Sequence, residues 1–130
     1  MRATAWAVPV AALGFTLLVG GCTSSVGSGW SDNPLTGSDL SRASAEQVAE
    51  IEDGVVTPEE YQAAFERYEE CLGAAGFELS EVTTADRVKR YTVPGDAVTS
   101  GADEECYRSE FHVVDRVWQS SAVVRDASGS

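Results

Sequence analysis

The chain has 130 residues, with 21 acidic against nine basic side chains and a formal net charge of −12. Such acidity excludes the electrostatic grip on phosphate that nucleic-acid binding requires, and it opposes docking on an anionic lipid surface by charge alone. At this length one small domain is expected, with a core that gains from a covalent staple.

The first stretch is apolar and ends in a cysteine. From Ala3 to Gly21 no side chain is charged. Arg2 supplies a minimal positive n-region and Ala5 to Leu18 an h-region. Gly20 and Gly21 are the small residues a signal peptidase needs where it grips extended backbone. The segment Leu18-Val19-Gly20-Gly21-Cys22 resembles the bacterial lipobox, with Val19 where leucine is commoner. It predicts a signal peptide over residues 1–21, cleavage before Cys22 and a lipid on the Cys22 thiol. The rival is an uncleaved helix, since 19 uncharged residues nearly match a hydrocarbon core of about 30 Å. Pro9 and the paired glycines oppose it, and no basic cluster follows. Processing leaves eight basic and 21 acidic residues, a net charge of −13. The expected place is the extracytoplasmic face of the cell membrane, with the membrane itself as first partner through Cys22.

Residues 22–42 read as the lipidated cysteine and a flexible tether. Thr23 to Asp39 is dominated by Ser, Gly, Asn, Asp and Pro without apolar periodicity. Trp30 interrupts it with no assignable role.

Residues 43–121 read as an α+β domain: helix, β-hairpin, helix, with a short preceding helix and one disulfide. The short helix is expected over Ala43–Glu52, with Leu40, Ala43, Val48 and Ile51 as its apolar residues and Gly54 as its stop. Thr57-Pro58-Glu59-Glu60 is a capping box with proline at the first helical position. Tyr61, Phe65, Tyr68, Leu72 and Ala75 follow at spacings of four and three, one face of a helix that Gly76 closes. Phe77 to Thr83 and Arg87 to Val93 are rich in β-branched and aromatic residues and flank Thr84-Ala85-Asp86. They predict an antiparallel hairpin closed by Pro94-Gly95-Asp96, with Glu78 and Glu81 ion-paired across it to Arg87, Lys89 and Arg90. Ser100-Gly101-Ala102-Asp103 predicts a second N-cap, followed by one helix to about Gln119 or Ser121. Residues 122–130 are expected to be a tail.

With Cys22 acylated, Cys71 and Cys106 are an even pair in an oxidising compartment, which favours a disulfide. Cys71 lies near the end of one helix and Cys106 near the start of the next, so antiparallel packing would bring them together. A thiol redox pair lacks Cys-X-X-Cys and a nearby basic group.

Catalytic patterns are weak. His112 is the single histidine, no Gly-x-Ser-x-Gly elbow exists, and EF-hand spacing is missing. Glu69-Glu70 and Asp103-Glu104-Glu105 would attract calcium weakly at most. Carboxylate pairs are numerous by chance among 21 acids. No cofactor, metal site or catalytic residue is expected.

The leader ending Val19-Gly20-Gly21-Cys22, the helix from Thr57-Pro58-Glu59-Glu60-Tyr61 to Cys71-Leu72-Gly73-Ala74-Ala75-Gly76, and a later helix with Cys106 together resemble a loose group of small, uncharacterised actinobacterial lipoproteins. The resemblance implies an exported, lipid-anchored, disulfide-linked domain and supplies no activity. The leading expectation is therefore a non-enzymatic accessory or binding module, whose further partner is an envelope protein or wall polymer. The second is a small-ligand or sensor domain with a pocket between hairpin and helices, lined by Tyr61, Tyr68, Tyr91 or Trp118. An envelope hydrolase ranks third.

Overall fold

The structure, a computed structural model, describes residues 35–129. The expected signal peptide, Cys22 and Trp30 lie outside them. In chain order run α1 (Gly37–Arg42), α2 (Ala45–Glu50), α3 (Pro58–Ala74), β1 (Ser80–Ala85), β2 (Val88–Thr92), α4 (Gly95–Ser100), α5 (Ala102–Glu110), α6 (His112–Ser120) and α7 (Ala122–Ser128). This is an α+β fold, in which one antiparallel hairpin, largely exposed, lies against a core formed between helices. None of the described helices is long and apolar enough to cross a membrane.

The α3 helix forms as its local signals dictate. The Glu60 N–H donates to Thr57 Oγ1 at 3.2 Å and the Thr57 N–H to Glu60 Oε2 at 2.8 Å. Tyr61, Ala64, Phe65, Tyr68 and Leu72 are buried along one face. Ala75 falls outside that face and is exposed. Gly76 takes φ +91°, and the Phe77 N–H returns to the Leu72 carbonyl at 2.9 Å, closing the helix end.

The buried face of α3 meets Phe111, Val113, Val114, Val117 and Trp118. The Cys71–Cys106 disulfide joins α3 to α5 with the Cα atoms 5.6 Å apart. Arg67 adds a bidentate pair to Glu50, at 2.9 and 2.7 Å, tying α3 to α2.

Four expectations change. First, the hairpin is shorter and differently paired. Asp86 and Arg87 form its two-residue turn with φ of 51° and 66°, the left-handed pair that matches strand twist. A bulge between Ser80 and Thr83 leaves Lys89 opposite Thr84 and Arg90 opposite Thr83. The predicted cross-strand ion pairs are thereby lost. Glu81, at φ 53°, accepts instead from the Thr92 hydroxyl at 2.8 Å. Second, Pro94 starts a helix where a turn was predicted, because its fixed φ suits a helix entrance. Gly101, at φ +82°, then ends α4 and occupies the N-cap of α5.

Third, the helix predicted from residue 102 onward breaks at Phe111, whose φ and ψ are −133° and −32°. The cause is Gln47. In a continuous helix the Val113 N–H would reach the Ser109 carbonyl; here a side-chain amide stands between them. Gln47 Nε2 donates to the Arg108 and Ser109 carbonyls at 3.0 and 2.5 Å. Its Oε1 accepts from the N–H groups of Val113 and Val114 at 3.0 and 3.4 Å. A side chain inserted in the hydrogen-bond ladder is a recognised cause of a sharp bend. The α2 helix correspondingly starts at Ala45, capped by Ser44, and buries Gln47 while Val48 is exposed. Of the apolar residues predicted for Ala43–Glu52, Ile51 is buried in the core and Ala43 packs against it, whereas Leu40 and Val48 are exposed.

Fourth, the domain is longer at both ends. The predicted tether reached residue 42, but Thr36 and Asp39 form a capping box that starts α1 at Gly37. The predicted tail is α7, capped by Ser121, with Val124 buried in the core.

Candidate functional site

The second turn of α3 and the last turn of α6 carry Tyr61 and Trp118 to the underside of the hairpin. Their rings stack at 5.0 Å with an 18° tilt. Both polar tips hold hairpin backbone. Trp118 Nε1–H donates to the Arg87 carbonyl at 2.8 Å, and the Tyr61 hydroxyl accepts from the Lys89 N–H at 3.0 Å. The hairpin is thus fixed to the helices by groups that an isolated hairpin lacks.

A cleft of about 240 Å³ opens beside this pair, walled by Pro58 and Gln62 of α3 and by Thr84, Arg87 and Lys89 of the hairpin. Its position matches the pocket predicted between hairpin and helices. Tyr61 and Trp118 line it; Tyr68 and Tyr91 do not. Tyr68 is wholly buried and donates to Asp103 at 2.5 Å, while the Tyr91 ring packs between Phe65 and Tyr68 at 5.3 and 5.7 Å.

Behind the cleft lies Asp115, 6% exposed. Its carboxylate accepts from Tyr61 at 3.2 Å, Tyr107 at 2.7 Å and Gln119 Nε2 at 2.9 Å. These neutral donors satisfy the buried carboxyl group, which joins α3, α5 and α6. Burial, with the nearby Asp115 and Asp103 charges, pushes the phenols of Tyr61, Tyr68 and Tyr107 far above their ordinary value and Tyr91 up to about 12. Tyr61, Tyr68 and Tyr107 are fixed hydrogen-bonding groups at neutral pH, and none of the four is a ready base or nucleophile.

A wider recess of about 570 Å³ lies between α1 and α5, where Arg42, Glu104 and Arg108 meet. Its charges are internally matched: Glu104 lies 3.7 Å from Arg42 and 3.1 Å from Arg108. The smaller cleft, between the hairpin and α3, is the better candidate.

His112 is a structural contact. Its Nε2 lies 3.1 Å from Asp39 Oδ1, which docks α1 on α6, and its ring meets Tyr107 edge-on at 5.3 Å. The Thr36 backbone and side-chain donors, helped by His112, hold Asp39 well below the usual carboxylate range, at about 2. Among the described residues no three His, Cys, Asp or Glu side chains gather to hold a metal ion. Asp103 is engaged by Tyr68 and Glu104 by two arginines.

Of the residues singled out in the sequence, the fold brings Cys71 and Cys106 together in a bond; Cys22 lies outside the described residues. Gln47 and Asp115 were missed, because in sequence each looks like one more polar helix residue. No protein-family model, curated protein or solved structure matches the chain.

Proposed function

We propose that this protein is a cell-envelope lipoprotein, anchored through Cys22 to the outer leaflet of the cell membrane, whose folded domain is a non-enzymatic accessory or binding module. One observation carries the reading: the lipobox-like segment ending at Cys22, placed directly after an uncharged apolar run. The Cys71–Cys106 disulfide supports it, since such bonds persist in oxidising compartments, and it leaves Cys22 as the odd cysteine. Anchoring by two or more acyl chains is stable, each buried CH₂ contributing about 0.8 kcal/mol. Thr23 to Thr36 separate the cysteine from α1, a length that reaches at most about 50 Å when extended.

The second reading, a small-ligand domain, is favoured by the cleft beside Tyr61 and Trp118. The hydrolase reading loses ground, because among the described residues the one buried carboxylate, Asp115, is engaged by Tyr61, Tyr107 and Gln119.

The test is intact-mass analysis of the protein extracted from membranes. A mass matching Cys22 to Ser130 plus a diacylglyceryl group is expected, and Cys22→Ala should block processing. An unmodified Cys22 in the membrane fraction refutes the proposal.

A further inference from the structure

The helix α1 is joined to the domain differently from the other helices. Among the described helices it alone contributes no buried residue. Leu40 within it is 38% exposed, and Leu35 and Ala43 beside its two ends are only partly buried. Its grip is polar. Asp39 Oδ1 lies 3.1 Å from His112 Nε2 and 3.5 Å from Arg108 Nη1, and Arg42 lies 3.7 Å from the exposed Glu104. Arginine–carboxylate pairs this open to solvent contribute little, and salt screens them.

The attachment is also all-or-none. The Asp39 carboxylate that faces His112 and Arg108 accepts from the Thr36 N–H at 2.8 Å through its other oxygen, completing the capping box. One side chain thus starts the helix and docks it. A helix of six residues is too short to persist once undocked, because nucleation costs more than so few hydrogen bonds return. The weak part has a sharp boundary. The Ser44 N–H donates to the Ser109 carbonyl at 2.7 Å, and beyond it Gln47 and Ile51 are 0% and 1% exposed. Local opening draws on segments with few buried apolar contacts. Residues 35–43 are such a segment, and the chain that follows them is not.

We infer that α1 is a releasable strap, which undocks and melts while the rest of the domain stays folded and thereby lengthens the tether. With the strap docked, the chain from Thr23 to Thr36 reaches at most about 50 Å; with it released to Ala43, the reach is about 70 Å. The domain therefore has two reaches above its anchor. This deepens the envelope reading by assigning a regulation to the tether, and it rests on that reading for the tether's lipidated end.

The experiment measures native-state amide exchange on the full processed protein in detergent. The amides of Leu40 and Ala43 are bonded to the Thr36 and Leu40 carbonyls. They should exchange at least about a hundredfold faster than bonded amides in the middle of α3, as local rather than global opening requires. Raising salt from about 0.01 M to about 1 M cuts the screening length from about 30 Å to about 3 Å and should speed α1 exchange by about threefold, with α3 unchanged. His112→Phe keeps a ring against Tyr107 and leaves the sequence of α1 intact. It should speed α1 exchange by about tenfold, the scale of one lost contact to a charged group. Arg90→Gln, at an exposed hairpin cation, should leave it within about twofold. Spin labels on Ser41→Cys and Gln62→Cys, both exposed positions, read the undocked population directly. A narrow distance reports the docked strap, and a second, broad component should grow with salt and with His112→Phe. Exchange of α1 at the rate of α3, indifference to salt, or one narrow distance under every condition overturns the inference. So does loss of protection in α1 and α3 together, which is unfolding of the whole domain. The mass of Cys22 is measured on the same sample: a lipidated protein whose α1 stays docked refutes the strap alone, and an unmodified protein whose α1 is released refutes the anchor alone.

Discussion

Replacing Gln47 by leucine keeps the side-chain volume and a good helix former in α2 while deleting the amide that bridges the break between α5 and α6. Three backbone groups lose a partner: the Arg108 carbonyl and the Val113 and Val114 N–H groups. The Ser109 carbonyl retains the Ser44 N–H at 2.7 Å. Each buried group left unsatisfied costs about 1–3 kcal/mol. Partial closure of the helix ladder and the added apolar burial, about 1.5–3 kcal/mol, offset some of that loss. The net destabilisation should be about 2–4 kcal/mol, against a total of about 5–14 kcal/mol for a domain of this size. At about 4–8 °C per kcal/mol, the melting temperature should fall by about 8–32 °C. Urea unfolding followed by far-UV circular dichroism, with the disulfide intact, measures the change. Gln47→Glu should also destabilise, because a carboxylate can accept from Val113 and Val114 but cannot donate to two carbonyls. A Gln47→Leu protein within about 0.5 kcal/mol of the parent, an ordinary surface effect, would refute the role assigned to this residue.

Reduction, or paired replacement of Cys71 and Cys106 by alanine, opens a loop with a sequence separation of 35 and should cost about 4 kcal/mol in the chain-entropy model; chemical denaturation compares the two forms, and an unchanged midpoint would contradict it. Alkaline unfolding should be driven by the tyrosines. Tyr91 is raised from 10.0 to about 12 and the other three are raised too, so their stabilisation is complete below about pH 10 and is lost as pH rises through the folded values. Phenolate absorbance should therefore appear together with loss of circular dichroism, and a tyrosine that ionises reversibly near 10 in the folded protein would count against the packing described. In acid the sign reverses for Asp39, lowered from 3.8 to about 2: its contribution is present above 3.8 and is lost as pH falls through about 2. Amide exchange at Thr36 should accelerate over that window, and Asp39→Asn should remove the pH dependence; an unaltered profile would show that Asp39 does not hold α1.

What the sequence determined by itself is what lies within a few residues. The Thr57 cap, the Tyr61–Phe65–Tyr68–Leu72 stripe and the Gly76 stop all act through contacts one helical turn apart, so α3 was readable with nearly correct ends. The disulfide followed from parity and from helix ends that antiparallel packing brings together. Tertiary structure alone decided the rest. The break at Phe111 depends on an amide 61 residues from Arg108 in the chain, and no local pattern distinguishes that glutamine from a solvated one. The hairpin's charges suggested ion pairs, but a single bulge set the register and turned Glu81 to the Thr92 hydroxyl instead. Residues 37–42 and 122–128 carry local caps at Thr36 and Ser121, and docking of Asp39 on His112 and burial of Val124 join them to the domain. Propensity is a local quantity, whereas the value of burying Gln47, Asp115 or Val124 depends on partners that only the fold assembles.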